Sequence, residues 1–204
     1  KKKTLAVRFP SHPKAKGLLK ILNYPLAAPS ANISSRVSPV TKNHVKEEFG
    51  KKIKYIIEGG LSKIGLESTI INLTGKPEIL RIGSIDINKL SKALKKKLLY
   101  RKKTYMKVPG QNRLHYSPGI PLRMNCKEAS LDEAFILVKK RNNSNKNFFY
   151  LSKNKNLKEA ARNLYSVLRI IKKKGYKKIA VEKIENKGIG LAINDRLQRA
   201  STKK

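Results

Sequence analysis

Apolar positions recur along this chain in two rhythms. Runs of consecutive or alternating apolar residues predict strands, and apolar positions three and four apart predict helices. TLAVR (4–8) reads as a strand ending in Arg8, followed after His12-Pro13 by a helix through Leu18, Leu19 and Ile21. Residues 25–28 predict a second strand, short and buried. A helix follows from about Thr41 to Phe49, stopped by Gly50. IKYII (53–57) is almost continuously apolar, the pattern of a strand buried on both faces. The β-branched run after Glu67-Ser68-Thr69 and the segment PEILRIGSI predict two more strands, and Ile87–Lys97 a helix.

Beyond residue 120 strand and helix patterns alternate. PLRMN reads as a strand, and SLDE (130–133) as a capping box opening a helix to about Lys140. NFFYL (147–151) is a strand. A long helix runs from Leu157 to Lys174, with Leu157, Ala161, Leu164, Leu168 and Ile171 on one stripe and Gly175 at its end. KKIAVE (177–182) is the third strand and AINDRLQRA the last helix. This βαβαβα order predicts a small, doubly wound, Rossmann-like domain. Between the two halves, residues 100–120 have linker composition yet carry Tyr105, Arg113, His115 and Tyr116. The expected organisation is a first α/β domain over 1–99, a linker over 100–120 and a small α/β domain over 121–204. Rings braced by Pro118 suggest a flap that folds back over a pocket and excludes water. Packing or orientation is the favoured role for His115, ahead of general-base chemistry.

Composition narrows the function classes. At 204 residues the chain can bury a substantial core. No run approaches a membrane span, and no apolar segment follows a basic start as a signal peptide requires. Cys126 is the single cysteine and can form no internal disulfide, which fits a cytoplasmic protein. The formal net charge of +35 invites a nucleic-acid reading, but only 11 of the 48 basic residues are Arg, and the excess is spread along both halves. That argues for nonspecific attraction to polyanions ahead of base-specific readout. Zinc-spaced His/Cys clusters, a P-loop and a dinucleotide fingerprint are all absent; Gly188-Ile189-Gly190 lacks the third glycine.

The most chemically suggestive stretch is PLAAPSANISSRVSPV (25–40). Ser30, Asn32, Ser34, Ser35 and Ser38 crowd hydrogen-bonding side chains between a predicted strand and a helix N-terminus, an arrangement suited to a phosphate or carboxylate. Asn32 is expected to fold the loop on itself. Arg8, at a predicted strand end, is placed to grip a carboxylate bidentately. Ser68 and Glu67 alternate and so face opposite ways.

AVRFPSHP (6–13), PLAAPSANISSRVSP (25–39), GLESTIINL (65–73), ILRIGSI (79–85) and PGQNRLHYSP (109–118) occur in this order, and NDRLQRA (194–200) follows. Together they resemble the threonylcarbamoyl-AMP synthase family, a YrdC-type α/β domain joined by a linker to an extra C-terminal domain. The resemblance implies an ATP-dependent synthase that makes threonylcarbamoyl-AMP from L-threonine, bicarbonate and ATP for the N6-threonylcarbamoyladenosine modification of tRNA. It implies Arg8, the Ala28 backbone and Ser68 at threonine, and Thr4, Ser30, Ser38, Arg81 and Tyr116 at ATP. Arg113 and His115 would belong to the flap. ATP with Mg2+ would be the substrate, with no prosthetic group and no metal held by protein ligands alone; tRNA and tRNA-modification proteins are candidate partners, and a membrane is not. Ser35 stands where the family usually has Gly, and Val40 where it has Thr, although Thr41 could take over the cap. NDRLQRA is expected to pack against the first domain. The resemblance also implies that a chain opening KKKTLAVR begins partway through the first domain, lacking half its sheet and much of the basic floor of its cleft, Lys-x-Arg motif included. Two other readings compete: a noncatalytic basic RNA-binding protein, and a carbamoyltransferase with a YrdC-type domain, which would lack the HYSP linker and the NDRL tail.

Overall fold

The computed structural model describes residues 4–100, 108–110, 115–143 and 145–201. Two sheets organise it, and one helix lies between their cores.

The four-stranded sheet is built from β4 (Leu122–Cys126), β5 (Ala134–Lys139), β6 (Phe148–Ser152) and β7 (Ile179–Glu182), all parallel, in the order β4-β7-β5-β6. Helices α4 (Leu157–Lys173) and α5 (Ile189–Ser201) share one core with Ile136, Val138, Leu151, Ile179 and Val181. The other face holds Cys126, Phe135, Leu137 and Ala180, with Ala129, Phe148 and Tyr150 packed against them. Asn156 caps α4 by accepting from the Lys158 and Glu159 amides, and the predicted stripe is its core face. Cys126 is a buried free thiol.

The α/β class and parallel sheet are as expected, but the first crossover differs. Residues 134–138, expected in a helix, form central strand β5, buried throughout between β6 and β7. A short run apolar at every position carries no periodicity, and here the ladder decides it. The SLDE signal forms a single turn in which the Glu133 amide donates to the Ser130 carbonyl. The Glu133 carboxylate then takes a two-pronged ion pair from Arg123, with Nε–Oε1 2.9 Å and Nη2–Oε2 2.6 Å.

The three-stranded sheet joins β1 (Ile70–Asn72) antiparallel to β2 (Glu78–Arg81) and β2 parallel to β3 (Leu99–Tyr100). Its core of Ile79, Ile82 and Leu98 includes Ala192 of α5, with α3 (Ile87–Leu94) packed alongside. One helix therefore serves both cores, through Ala192 in one and Ile193, Leu197 and Ala200 in the other.

The helices α1 (Pro13–Ile21) and α2 (Lys42–Phe49) form as expected, yet neither buries a residue fully. The strands expected at 4–8, 25–28 and 53–57 are not formed. Their backbone has no ladder partner among the described residues, and residues 25–28 are exposed where burial was expected. Leu5, Val7 and Phe9 are 85–91% exposed and Tyr55 is 79% exposed. A strand is a paired structure, so apolar alternation without a neighbour leaves its residues in water. Among the described residues, no helix is long and apolar enough to cross a membrane.

Candidate active site

The Ser/Asn loop folds on itself as its composition suggests. Asn32 is buried, and its Nδ2 donates to the carbonyls of Ile33 (2.9 Å) and Arg36 (3.3 Å). Ser35 adopts a left-handed φ of 68°, the conformation a glycine would take at no steric cost. Its carbonyl accepts the Ser117 amide at 2.9 Å, and Arg36 pairs with Ser117, so the linker closes onto the loop at this point. Val40 is buried in a core, while Thr41 takes over the helix cap by accepting from the His44 amide at 3.3 Å.

Ser38 leads to the centre of the site. Its hydroxyl donates to Glu67 Oε1 at 2.7 Å. Glu67 also accepts from Tyr165 Oη, 3.0 Å from both carboxylate oxygens, and from Arg196 Nε at 2.9 Å. Burial pushes this carboxyl up, but the Arg196 guanidinium and the hydrogen bonds from Ser38 and Arg196 outweigh it and hold its pKa below the ordinary glutamate value. Glu67 turns inward while Ser68 is exposed, the opposite facing expected of neighbours in extended chain.

Arg81 ends β2 and is 6% exposed. Its Nε donates to the Ser68 carbonyl and its Nη1 to the Pro109 carbonyl, both at 3.0 Å. Nη2 is buried with no hydrogen-bond partner among the described residues, and the same holds for Tyr116 Oη. The chain at Gly110 passes over both groups: a Cβ there would lie 2.2 Å from Tyr116 Oη and 3.4 Å from Arg81 Cδ, at a φ of +86°. Burial lowers the Arg81 pKa, and the like charges of Arg196 and Arg8 act in the same direction.

Tyr116, expected as a flap residue against the nucleotide, is a core side chain, 1% exposed. Its ring stacks on Tyr165 with centroids 5.7 Å apart and lies 5.2 Å from the Arg196 guanidinium carbon. The ring is committed to this core, and its hydroxyl is buried with it. Burial, then the Glu67 charge, pushes that phenol up to about 12, so it stays protonated and can donate. His115 is half-buried, its ring 4.1 Å from that of Tyr116, and its Nδ1 accepts the Tyr116 amide at 3.1 Å. Burial lowers its pKa against the opposing pull of Glu67, and Arg199, Arg196 and Arg81 act in the same direction as burial. These contacts hold the His115 ring against Tyr116.

Ser38, Ser68, Arg81, His115 and Tyr116 are thus one hydrogen-bonded and packed assembly. Thr4, Arg8, Ala28 and Ser30 are exposed and outside any helix or strand, and the charge of Arg8 is felt at Arg81. Tyr105 and Arg113 lie outside the described residues. Two open surface hollows, of about 510 Å³ beside Lys42, Lys46 and Tyr55 and about 650 Å³ beside Lys139–Asn143, contain none of these residues. Among the described residues, no group of three or more His, Cys, Asp or Glu is placed to hold a metal ion. Sequence reasoning missed Tyr165 and the site-side role of Arg196. Each sits on a helix stripe otherwise read as packing, and only their buried polar ends betray them.

A two-sheet α/β protein with a linker folded into the junction is the class defined here. Residues 82–202 match the family profile described as the C-terminal domain of threonylcarbamoyl-AMP synthase, and residues 1–83 match one described as telomere recombination. The chain belongs to the threonylcarbamoyl-AMP synthase family. It is 34% identical to the threonylcarbamoyl-AMP synthase of Pyrococcus abyssi over 97% of this chain and 64% of the relative. With that of Schizosaccharomyces pombe the identity is 33%, over 98% and 58%. The structure of P. abyssi Sua5 with L-threonine superposes with a TM-score of 0.82 at 32% identity, covering 95% of this chain and 63% of that one. A variant of that protein with a His and a Tyr replaced by Ala gives a TM-score of 0.77 at 31% identity. The chain spans roughly three-fifths of the length of these curated relatives, 64% and 58%.

Proposed function

We propose that this protein takes part in ATP-dependent synthesis of threonylcarbamoyl-AMP. L-Threonine and bicarbonate condense to the N-carboxylate with loss of water. A carboxylate oxygen then attacks the α-phosphorus of ATP, and the bond to pyrophosphate breaks. Mg2+ enters with the triphosphate as part of the substrate. The product is an activated threonylcarbamoyl group for N6-threonylcarbamoyladenosine formation in tRNA, which makes tRNA and its modification proteins the downstream partners.

The observation that carries this reading is the pair of buried donors, Arg81 Nη2 and Tyr116 Oη, which have no hydrogen-bond partner among the described residues where β2 meets the linker. Burying a polar donor unpaired is costly, and a triphosphate or mixed anhydride rich in acceptors would satisfy both. Ser38 and Ser68 flank them on loops fixed by Glu67 and by Arg81 itself. Ser38 serves the nucleotide and Ser68 threonine. Arg8 grips the threonine carboxylate while the Ala28 backbone lines the same pocket, and Thr4 and Ser30 extend the nucleotide contacts. Arg113 and His115 act as linker residues that keep water from a hydrolysable product. The P. abyssi variant replaces an adjacent His-Tyr pair, and His115-Tyr116 is the His-Tyr dipeptide of this chain.

The test is threonine- and bicarbonate-dependent exchange of pyrophosphate into ATP. Activity that needs both co-substrates and falls about 10²-fold in Arg81→Ala is the expected result. Exchange without threonine, or none at all, overturns the reading.

A further inference from the structure

We infer that Arg196, on the last helix, is a positioning residue for the site: it grips the immediate chain neighbours of Ser68 and Arg81. Resting on the function proposed above, this gives the C-terminal unit a direct hold on threonine and phosphate recognition.

The guanidinium is 1% exposed, and all three of its nitrogens are used. Nε donates to Glu67 Oε2 at 2.9 Å, and Glu67 precedes Ser68. Nη2 donates to the Ile82 carbonyl at 2.8 Å, and Ile82 follows Arg81. Nη1 pairs with Asp195 Oδ2 at 2.7 Å, which aims the fork. A second, weaker grip comes from Tyr165, whose hydroxyl donates to the Glu67 carboxylate, 3.0 Å from both oxygens, and so holds the Glu67 side of the span. The loops carrying Ser68 and Arg81 also hold each other through Arg81 Nε and the Ser68 carbonyl, 3.0 Å apart.

Planarity is what the position requires. A guanidinium presents two donors at a fixed angle to a carboxylate and a carbonyl at once, whereas an ammonium is a single point charge. Lysine at 196 would keep a cation beside Glu67, which avoids a lone buried carboxylate, and would lose the two-armed span.

Amide hydrogen exchange on the whole protein separates this role from general support. In Arg196→Lys, exchange at 66–70 and 80–84 is expected to accelerate about tenfold, the scale of one charged hydrogen bond, while β4–β7 stay protected. In Tyr165→Phe only 66–70 should loosen. In the pyrophosphate assay, Arg196→Lys should raise the threonine KM about tenfold with little change in kcat, as for lost ground-state positioning. Unchanged exchange at both segments, or equal acceleration through the four-stranded sheet, overturns the inference. Should Arg196→Lys fail to fold, the Tyr165→Phe pattern decides: loosening confined to 66–70 supports the grip, and its absence removes it. A wild-type protein without threonine-dependent exchange defeats the functional reading, while the exchange pattern still decides the positioning.

Discussion

Residues 4–60 and residues 121–201 have sequences of similar apolar rhythm and opposite fates. In the second region every strand has a neighbour, and Ile136, Leu137, Leu151 and Ile179 are fully buried. In the first, Leu5, Val7, Phe9 and Tyr55 stand in solvent outside any helix or strand. The contrast teaches that apolar alternation specifies a side of a strand but not its partner. A ladder is a property of two segments, and its absence undoes the burial that the pattern promises.

The sharpest way to break this comparison is to truncate one side chain in each region. Leu164→Ala empties a fully buried site on α4 and should cost about 2–5 kcal/mol in urea unfolding. Tyr55→Ala removes a larger but 79% exposed side chain and should change stability by less than about 0.5 kcal/mol. Equal costs would mean that residues 53–57 are packed in solution.

A second probe lies at the seam. Gly65 has φ +78°, and a Cβ there would meet Arg162 Cα at 2.4 Å and the Ala161 carbonyl at 2.6 Å. These are backbone atoms of α4 and cannot swing aside. Gly65→Ala should therefore cost about 2–3 kcal/mol and loosen 62–67 from the helix, read as a drop in the urea midpoint and faster local exchange. A neutral result would show that the loop and α4 are not in contact.

How much of this was legible follows from which interactions are local. The cap at Thr41, the α4 stripe and the Gly50 stop involve residues within a few positions, and the sequence displays them. β5 misled because AFILV is apolar at each position, and a sheet sandwiched between neighbours has no exposed face to mark its period. The family motifs located Ser38, Ser68 and Arg81, yet not their mutual bonding. Glu67 meets Tyr165 across 98 positions and Arg196 across 129, separations that no spacing rule reaches.

The titrating groups at the junction give a smaller effect of known sign. Glu67 has its pKa lowered in the folded protein, so its contribution is present above the ordinary glutamate range and is lost as pH falls through the depressed value. Glu67→Gln should flatten the loss of stability between about pH 5 and 3. His115 is also lowered, so the folded state prefers neutral imidazole, and stability rises with pH through the ordinary histidine range. His115→Gln should reduce that rise, the remainder coming from His44, whose pKa burial also lowers. A wild-type urea midpoint that falls from about pH 5.5 to 7 would contradict the sign for His115.

The smallest effect comes from comparing two loops, whose left-handed residues Ser35 and Gly65 invite opposite substitutions. Gly65 cannot accept a Cβ because α4 occupies the space, whereas Ser35 already carries one at φ 68° and bears its conformational cost. A non-glycine residue in this region costs about 1–2 kcal/mol, and glycine costs about 0.5–1 kcal/mol in unfolded-chain entropy. The difference predicts that Ser35→Gly stabilises the protein by about 0.5 kcal/mol, with an unchanged urea m-value. The Ser35 carbonyl still accepts from Ser117, since that bond is made by backbone alone. Destabilisation by Ser35→Gly would mean that the serine side chain, and not only its backbone, fastens the loop to the linker.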